Sequence, residues 1–335
     1  MASKVDSVME HAMRDAVISK RNDRLRDLDK ILYDHAYYYP SVGGKRVRPF
    51  VAVMAGGLFG KPTPELYLAA ASVELLHNFT LVDDDIMDGD KTRRGRKTAH
   101  EAFGLGDAVN AGACLYAMAI RTASEAEGLS GAKRLVATLA DASLTIVQGQ
   151  NLDVRFEQIR DVTIEEYLDM IYKKTATLIE CAAEMGGLVG IAQAGREASS
   201  PSILRSLKEY GRNQGLAFQI HDDYLGTFGD PSVVGKPVGN DLIRGKKTCI
   251  VILAQKSASK AQMSVISSIL GNSTAERRDL ERAIKVLKDL GIDRMVLAMG
   301  EQYANKALAA LSSIPQSEER DLLADLAGFV SSRKS

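Results

Sequence analysis

The sequence predicts an all-α protein, folded as one large helical bundle. Three observations carry this. Ala, Leu, Glu, Lys and Met, which favour helices, fill long windows at helical spacing. Runs that alternate apolar and polar residues, as a half-buried strand does, are scarce. Proline, the strongest helix breaker, occurs only 8 times in 335 residues.

The windows follow in order. Residues 2 to 32 read as a first amphipathic segment, with Val5, Met9, Met13, Val17, Leu25 and Leu28 as its apolar points. Pro40 and Gly43-Gly44 mark a break, and Pro49 suits the first turn of a helix over 50–58. A central helix is placed over 64–88; apolar residues such as Leu66, Leu68, Ala71, Val73, Leu76 and Leu81 surround it, which suits burial among other helices. An Arg-rich loop over 89–97, a short piece at 98–104 and an apolar helix over 107–126 follow. Residues 131–158 are a long helical candidate, its apolar face interrupted by Gln148, Gln150 and Asp153. Thr163, Glu165 and Glu166 open the next helix in a capping-like pattern. Later segments at 246–257, 260–270, 275–312 with a break at Gly291, and 317–332 read as helices without chemistry of their own. No strong linker divides the chain, so residues 1–335 are read as one domain.

Composition narrows the classes. Lys and Arg together number 43, matched by 43 Asp and Glu, so no mean basic surface for nucleic acid is indicated. Cys114, Cys181 and Cys249 lie far apart without metal-ligand spacing and read as buried thiols in a reducing compartment. The N-terminus lacks a signal-like apolar run, and no stretch reaches the 18 or more apolar residues of a transmembrane span. A cytoplasmic location is the expectation.

Three stretches carry chemistry. In LHNFTLVDDDIMDGDKTRRG, from Leu76 to Gly95, helical geometry puts Asp84 and Asp88 on one face with Asp85 further round. Carboxylates four residues apart repel, and a cation relieves them. Mg²⁺ takes carboxylate oxygens and commonly bridges to phosphates, and Lys91, Arg93, Arg94 and Arg96 stand by for a phosphate. The second stretch, GLAFQIHDDYLGTFGDPSVVGKPVGNDLIRGKKT, repeats the arrangement: Asp222 and Asp223, read as exposed, end a helix before a Gly-rich loop carrying Lys236, Lys246 and Lys247. A solvated helix end explains one such cluster well and two poorly. A third stretch, GGKRVRP, offers Lys45, Arg46 and Arg48 beside two glycines that leave room for an anion. Acid clusters facing each other across a bundle, basic loops and an apolar cavity fit a diphosphate on a hydrocarbon chain, with diphosphate as leaving group.

GGKRVRP at 43–49, LLHNFTLVDDDIMDGDKTRRG at 75–95, VQGQNLD at 147–153, KKTATL at 173–178, and FQIHDDYLGTFGD with VGKPVGNDLIRGKKT at 218–248 together resemble the trans-isoprenyl diphosphate synthase (polyprenyl synthetase) family along nearly the whole chain. The resemblance is strongest to archaeal-type short-chain geranylgeranyl and farnesyl diphosphate synthases. It implies the isoprenoid synthase fold, a homodimer, and Mg²⁺, three ions with substrate bound; the apolar helix over 107–126 offers a surface for part of the dimer interface. Asp84, Asp88 and Asp222 match its metal ligands, supported by Asp85 and Asp223. Arg93, Lys174, Lys236 and Lys246 match its allylic diphosphate contacts. Gly44, Lys45, Arg48, His77 and Arg94 match its isopentenyl diphosphate site, and Thr175 and Gln219 face the allylic cation. The implied reaction is ionisation of the allylic diphosphate, attack by the double bond of isopentenyl diphosphate, and proton loss to the departing diphosphate.

Three positions depart from the common family pattern: Asp83 stands where His is usual, Ala113 where Asp is usual, and Gly226 where a third Asp is usual. For chain length, Leu76 and Thr80 lie below Asp84 near its face, whereas helix geometry turns Phe79 away. The family nonetheless places a decisive aromatic five residues before the first Asp, which is Phe79, followed here by the small Thr80. This resembles enzymes that make C20 geranylgeranyl diphosphate, with C15 farnesyl the main alternative and C25 a lesser one. A class I terpene cyclase would need a second motif that the residues after Asp223 do not form, and a non-catalytic partner subunit would be expected to have broken acid clusters.

Overall fold

The computed structural model describes residues 1–14, 23–195, 201–229 and 238–332. Among the described residues the regular secondary structure is helical, as the periodicity predicts, except for one hairpin of two residues per strand. The chain divides into two compact units, Met1–Ser143 with Cys181–Lys208, and Leu144–Glu180 with Glu209–Ser335.

The first unit holds α1 (Ala2–Arg14), α2 (Asp23–Ser41), α3 (Val47–Gly57), α4 (Pro64–Asp88), α5 (Ala99–Phe103) and α6 (Leu105–Ser130). It also takes the start of α7 (Leu135–Phe156), most of α9 (Thr177–Ala194) and the start of α10 (Pro201–Phe228). At its centre is α4, with the bounds that the sequence predicts. Thr63 caps it by accepting from the Leu66 N–H at 3.3 Å, Pro64 opens its first turn, and Gly89, left-handed at φ 63°, ends it. Leu66, Ala69, Ala70, Val73, Leu75 and Leu76 are buried, and burial on several faces explains why the helix lacks a polar side. Small residues let α9 approach α3: a side chain at Gly186 would come within 2.0 Å of the Ala52 carbonyl.

Three local expectations change. Pro40 lies inside the last turn of α2 instead of breaking it; Gly43, at φ 82°, makes the actual turn, and the Pro40 carbonyl accepts from Arg46. Leu25 and Leu28 are 48% and 53% exposed, not core residues, whereas Val5, Met9 and Met13 are buried; Val17 lies outside the described residues. The stretch read as an Arg-rich loop contains a hairpin, β1 (Thr92–Arg93) and β2 (Arg96–Lys97), paired Arg93 to Arg96. Its two central residues, Arg94 and Gly95, have φ of 50° and 76°, as a two-residue primed turn requires.

The second unit holds the remainder of α7, α9 and α10 together with α8 (Ile164–Ile171), α11 (Asn240–Arg244), α12 (Cys249–Ser257), α13 (Lys260–Ser267), α14 (Arg277–Asp289), α15 (Ile292–Leu311) and α16 (Glu318–Ser332). Thr163 and Glu166 form a full capping box at the start of α8. Between α8 and α9, Tyr172–Ala176 is a π-helical turn that the periodicity does not reveal. Gly149 on α7 and Gly215 on α10 admit this turn. Side chains there would come within 2.3 Å of the Lys174 nitrogen and 2.4 Å of the Ala176 Cα. The continuous helical stretch Ile164–Ala194 is long and apolar enough to cross a membrane by length and mean hydropathy alone, although it contains no unbroken apolar run of that length. Its apolar window is 78% buried inside the protein, the position of a core helix. Cys181 and Cys249 are buried and Cys114 is half-buried, all as free thiols.

Candidate functional site

The C-terminal end of α4 separates its aspartates by role. Asp84 and Asp88, one turn apart, are half-buried, while Asp85 is 1% exposed. The hairpin returns Arg93 over the helix, where its guanidinium pairs with Asp85 at 2.5 Å and approaches Asp84 at 3.9 Å. The buried Tyr39 hydroxyl donates to the other Asp85 oxygen and accepts from the Ala99 N–H at 3.1 Å. Burial, and then the Asp84 charge, raise the pKa of Asp83 above the ordinary carboxylate range.

The basic loop is sorted as sharply. Lys45 is exposed, but Arg46 turns inward and does not join it on an anion, as the sequence suggests it would. Its guanidinium bonds Glu74 at 2.7 Å, Asp6 at 2.8 Å and the Pro40 carbonyl at 2.8 Å. Arg48 lies 3.2 Å from the His77 Nε2. Burial, then the charges of Arg48 and Arg94, hold His77 well below the usual imidazole range, so its neutral Nε2 accepts from Arg48. Arg94 donates to the Gly43 carbonyl, and a side chain at Gly44 would lie 3.1 Å from the Arg94 Nη2. Gly44, Arg48, His77 and Arg94 are thus neighbours around α4, with Lys45 on the same turn.

In the second unit one carboxylate gathers two lysines: the Asp153 Oδ2 is 2.5 Å from the Lys174 Nζ and 3.4 Å from the Lys246 Nζ. The π turn presents Thr175, which donates to the Gln219 Oε1 at 2.8 Å, and the Gln219 amide donates to the Asp223 Oδ1 at 2.8 Å. The Tyr167 hydroxyl donates to the Asp223 Oδ2 at 2.7 Å. Asp222 is half-buried, but Asp223 is 6% exposed, which corrects the sequence reading of both as exposed. Burial, with Asp241 and Asp222 nearby, raises its pKa to about 7 despite the two donors. At Gly226, where a third Asp is usual, a side chain would meet the Asp241 carboxylate at 3.2 Å. Lys236 lies outside the described residues.

Among the described residues no group of three His, Cys, Asp or Glu side chains is arranged to hold a metal ion unaided. Asp84 and Asp88 nonetheless offer hard oxygen donors one turn apart. Such a pair fits Mg²⁺, which keeps waters and completes its octahedron with substrate phosphates. The donor set therefore suits a cation that arrives with a diphosphate.

Below Asp84, Leu76 is fully buried and the Thr80 hydroxyl donates to the His77 carbonyl at 2.8 Å. Phe79 packs edge-on against Tyr116 of α6, ring centroids 5.5 Å apart at 64°. Ala113 is exposed, so the Asp usual there leaves no buried partner behind. Sequence reasoning gave no role to Asp153, and it passed over Tyr39 and Tyr167. Asp153 was visible as a polar interruption in an apolar helix face. The tyrosines had no local signal, since their carboxylate partners lie 46 and 56 residues away.

A family profile described as "Polyprenyl synthetase" matches residues 29–287. The chain is 39% identical over 293 residues to a geranylgeranyl diphosphate synthase of Saccharolobus solfataricus, covering 87% of this chain and 86% of that one. It is 38% identical over 299 residues to a geranylfarnesyl diphosphate synthase of Aeropyrum pernix, covering 87% and 91%. A crystal structure of geranylgeranyl pyrophosphate synthetase from Pyrococcus horikoshii Ot3 superposes with a TM-score of 0.86 at 35% identity, covering 99% of this chain and 96% of that one.

Proposed function

The chain belongs to the polyprenyl synthetase family, whose members are trans-prenyltransferases that condense isoprenoid diphosphates with Mg²⁺, and we propose that its own product is geranylgeranyl diphosphate (C20). One observation carries the chain-length assignment. Phe79 stands five residues before Asp84 with its ring fixed against Tyr116, and small Thr80 follows it. C15 farnesyl diphosphate is the main alternative and C25 a lesser one, the latter being the product class named for the A. pernix relative.

In this reading Asp84, Asp88 and Asp222 hold Mg²⁺, supported by Asp85 and Asp223. The metal, when bound, supplies neutralisation of the charge that develops on the leaving diphosphate. Arg93, Lys174, Lys236 and Lys246 bind the allylic diphosphate; Gly44, Lys45, Arg48, His77 and Arg94 bind isopentenyl diphosphate. Neutral His77 can donate from one ring nitrogen or accept at the other, which supports a binding role instead of that of a charged acid. Thr175 and Gln219, already bonded to each other, direct their oxygen dipoles at the allylic cation. The proton leaves to diphosphate, so no side chain is assigned as general base. We place the enzyme in the cytoplasm as a homodimer, for which exposed Leu105 and Val109 on α6 supply apolar surface. Light scattering at micromolar protein checks the dimer.

The test of product length is the Phe79→Ala variant. Shortening the ring opens the floor below Asp84, and mass spectrometry of dephosphorylated products is expected to find chains longer than those of the wild type. An unchanged distribution from folded, active Phe79→Ala would refute the assignment of the floor to Phe79.

A further inference from the structure

Both acidic motifs share a detail outside their motif pattern. In each, the second aspartate is buried, Asp85 at 1% and Asp223 at 6% exposure, and it accepts from the hydroxyl of a buried tyrosine on a different helix. Tyr39, 4% exposed on α2, donates to Asp85; Tyr167, fully buried on α8, donates to Asp223. In each motif a second donor holds the other carboxylate oxygen, Arg93 on Asp85 and the Gln219 amide on Asp223. Each buried carboxylate is therefore fixed at both oxygens, while its neighbours Asp84 and Asp222 remain partly exposed.

We propose that Tyr39 and Tyr167 are positioning residues for the metal–diphosphate site, each acting through the buried carboxylate beside a proposed ligand. This rests on the functional reading above. A carboxylate locked by two donors fixes the local helix backbone and the directions of the adjacent side chains. A hydroxyl placed there orients a ligand without touching the ion, as outer partners do at many metal centres. The two tyrosines share no sequence context, so the common geometry is not the product of a repeat.

The test uses the full chain with Mn²⁺ and inorganic diphosphate as probes, read as the excess Mn²⁺ held on the protein side of an equilibrium dialysis membrane. Tyr39→Phe and Tyr167→Phe each remove one oxygen and keep the ring, and circular dichroism verifies folding. Each is expected to weaken Mn²⁺ binding in the presence of diphosphate by roughly 10- to 100-fold. Binding of isopentenyl diphosphate without metal is expected to stay within about twofold of wild type, which a general loosening of the fold would not allow. On an Asp85→Asn or Asp223→Asn background the matching tyrosine change is expected to add little, because its effect passes through the carboxylate. If one tyrosine variant does not fold, the other motif carries the same test. Wild-type-like Mn²⁺ binding by folded tyrosine variants, or full additivity with the Asp→Asn changes, would overturn the proposal alone. A wild-type protein that takes up no Mn²⁺ with diphosphate would overturn the functional reading and the proposal with it.

Discussion

Replacing Arg46 by alanine tests how the basic loop is anchored. The Arg46 side chain is 1% exposed and its partner Glu74 is 3% exposed, at 2.7 Å; Asp6 and the Pro40 carbonyl complete the set. Arg46 has φ of 48°, but alanine meets the same backbone strain, so strain largely cancels between the two proteins. What remains is a buried Glu74 without its cation, at a cost of about 3–5 kcal/mol. The pH dependence has a definite sign. Burial raises the pKa of Glu74 above 4.5, and Arg46 opposes that rise. Without Arg46 the folded pKa climbs further. Below the unfolded value near 4.5 Glu74 is protonated in both states and its burial is cheap; as pH rises, the folded state must either keep a proton or bury a bare charge. The deficit of Arg46→Ala is therefore expected to be smaller at low pH than at neutral pH. Urea unfolding midpoints, measured in parallel for both proteins across that range, read it. A double variant, Arg46→Met with Glu74→Leu, is expected to recover most of the stability, because no charge is left buried. A deficit below about 1 kcal/mol, or one independent of pH, would refute the reasoning that the pair is desolvated.

Other outcomes follow from the same geometry. Asp84→Ala and Asp222→Ala each relieve acid crowding while removing a proposed ligand, so turnover is expected to be largely lost with the helical circular dichroism intact; near-normal turnover at saturating Mg²⁺ would contradict the ligand assignment. Lys45→Ala and Arg94→Ala are expected to weaken isopentenyl diphosphate by about 10- to 100-fold, the equivalent of one charge-assisted hydrogen bond, and the allylic substrate much less. Equal losses for both substrates in separate binding titrations would contradict two distinct diphosphate sites.

The extent of α4 was legible from its continuous apolar residues, and the Thr63 cap, first-turn Pro64 and closing Gly89 of the structure agree with it. The acid and basic stretches were legible because charge recurs at fixed spacing. What their members do was less so. Arg46 and Arg48 look alike in GGKRVRP, yet one is a buried strut and the other faces His77, because Glu74 on another helix selects between them. Asp222 and Asp223 are likewise adjacent in sequence, and only Tyr167 and Gln219 divide a buried carboxylate from a partly exposed one. The hairpin was hidden by its shortness, since two residues per strand give no period, and Arg94 is an unusual choice for a left-handed turn position. The π turn shifts register by a single residue, too little to disturb an apolar pattern that stays buried on both sides.

The central claim is the condensation itself and the length at which it stops. Purified protein incubated with isopentenyl diphosphate and each of the C5, C10 and C15 allylic diphosphates, with and without Mg²⁺, and followed by mass spectrometry of the dephosphorylated products, tests it directly. Elongation from all three starters to a C20 alcohol, dependent on both Mg²⁺ and isopentenyl diphosphate, is the result predicted. Diphosphate release from the allylic substrate alone with cyclic products, or chains ending at C15 or C25, would contradict it.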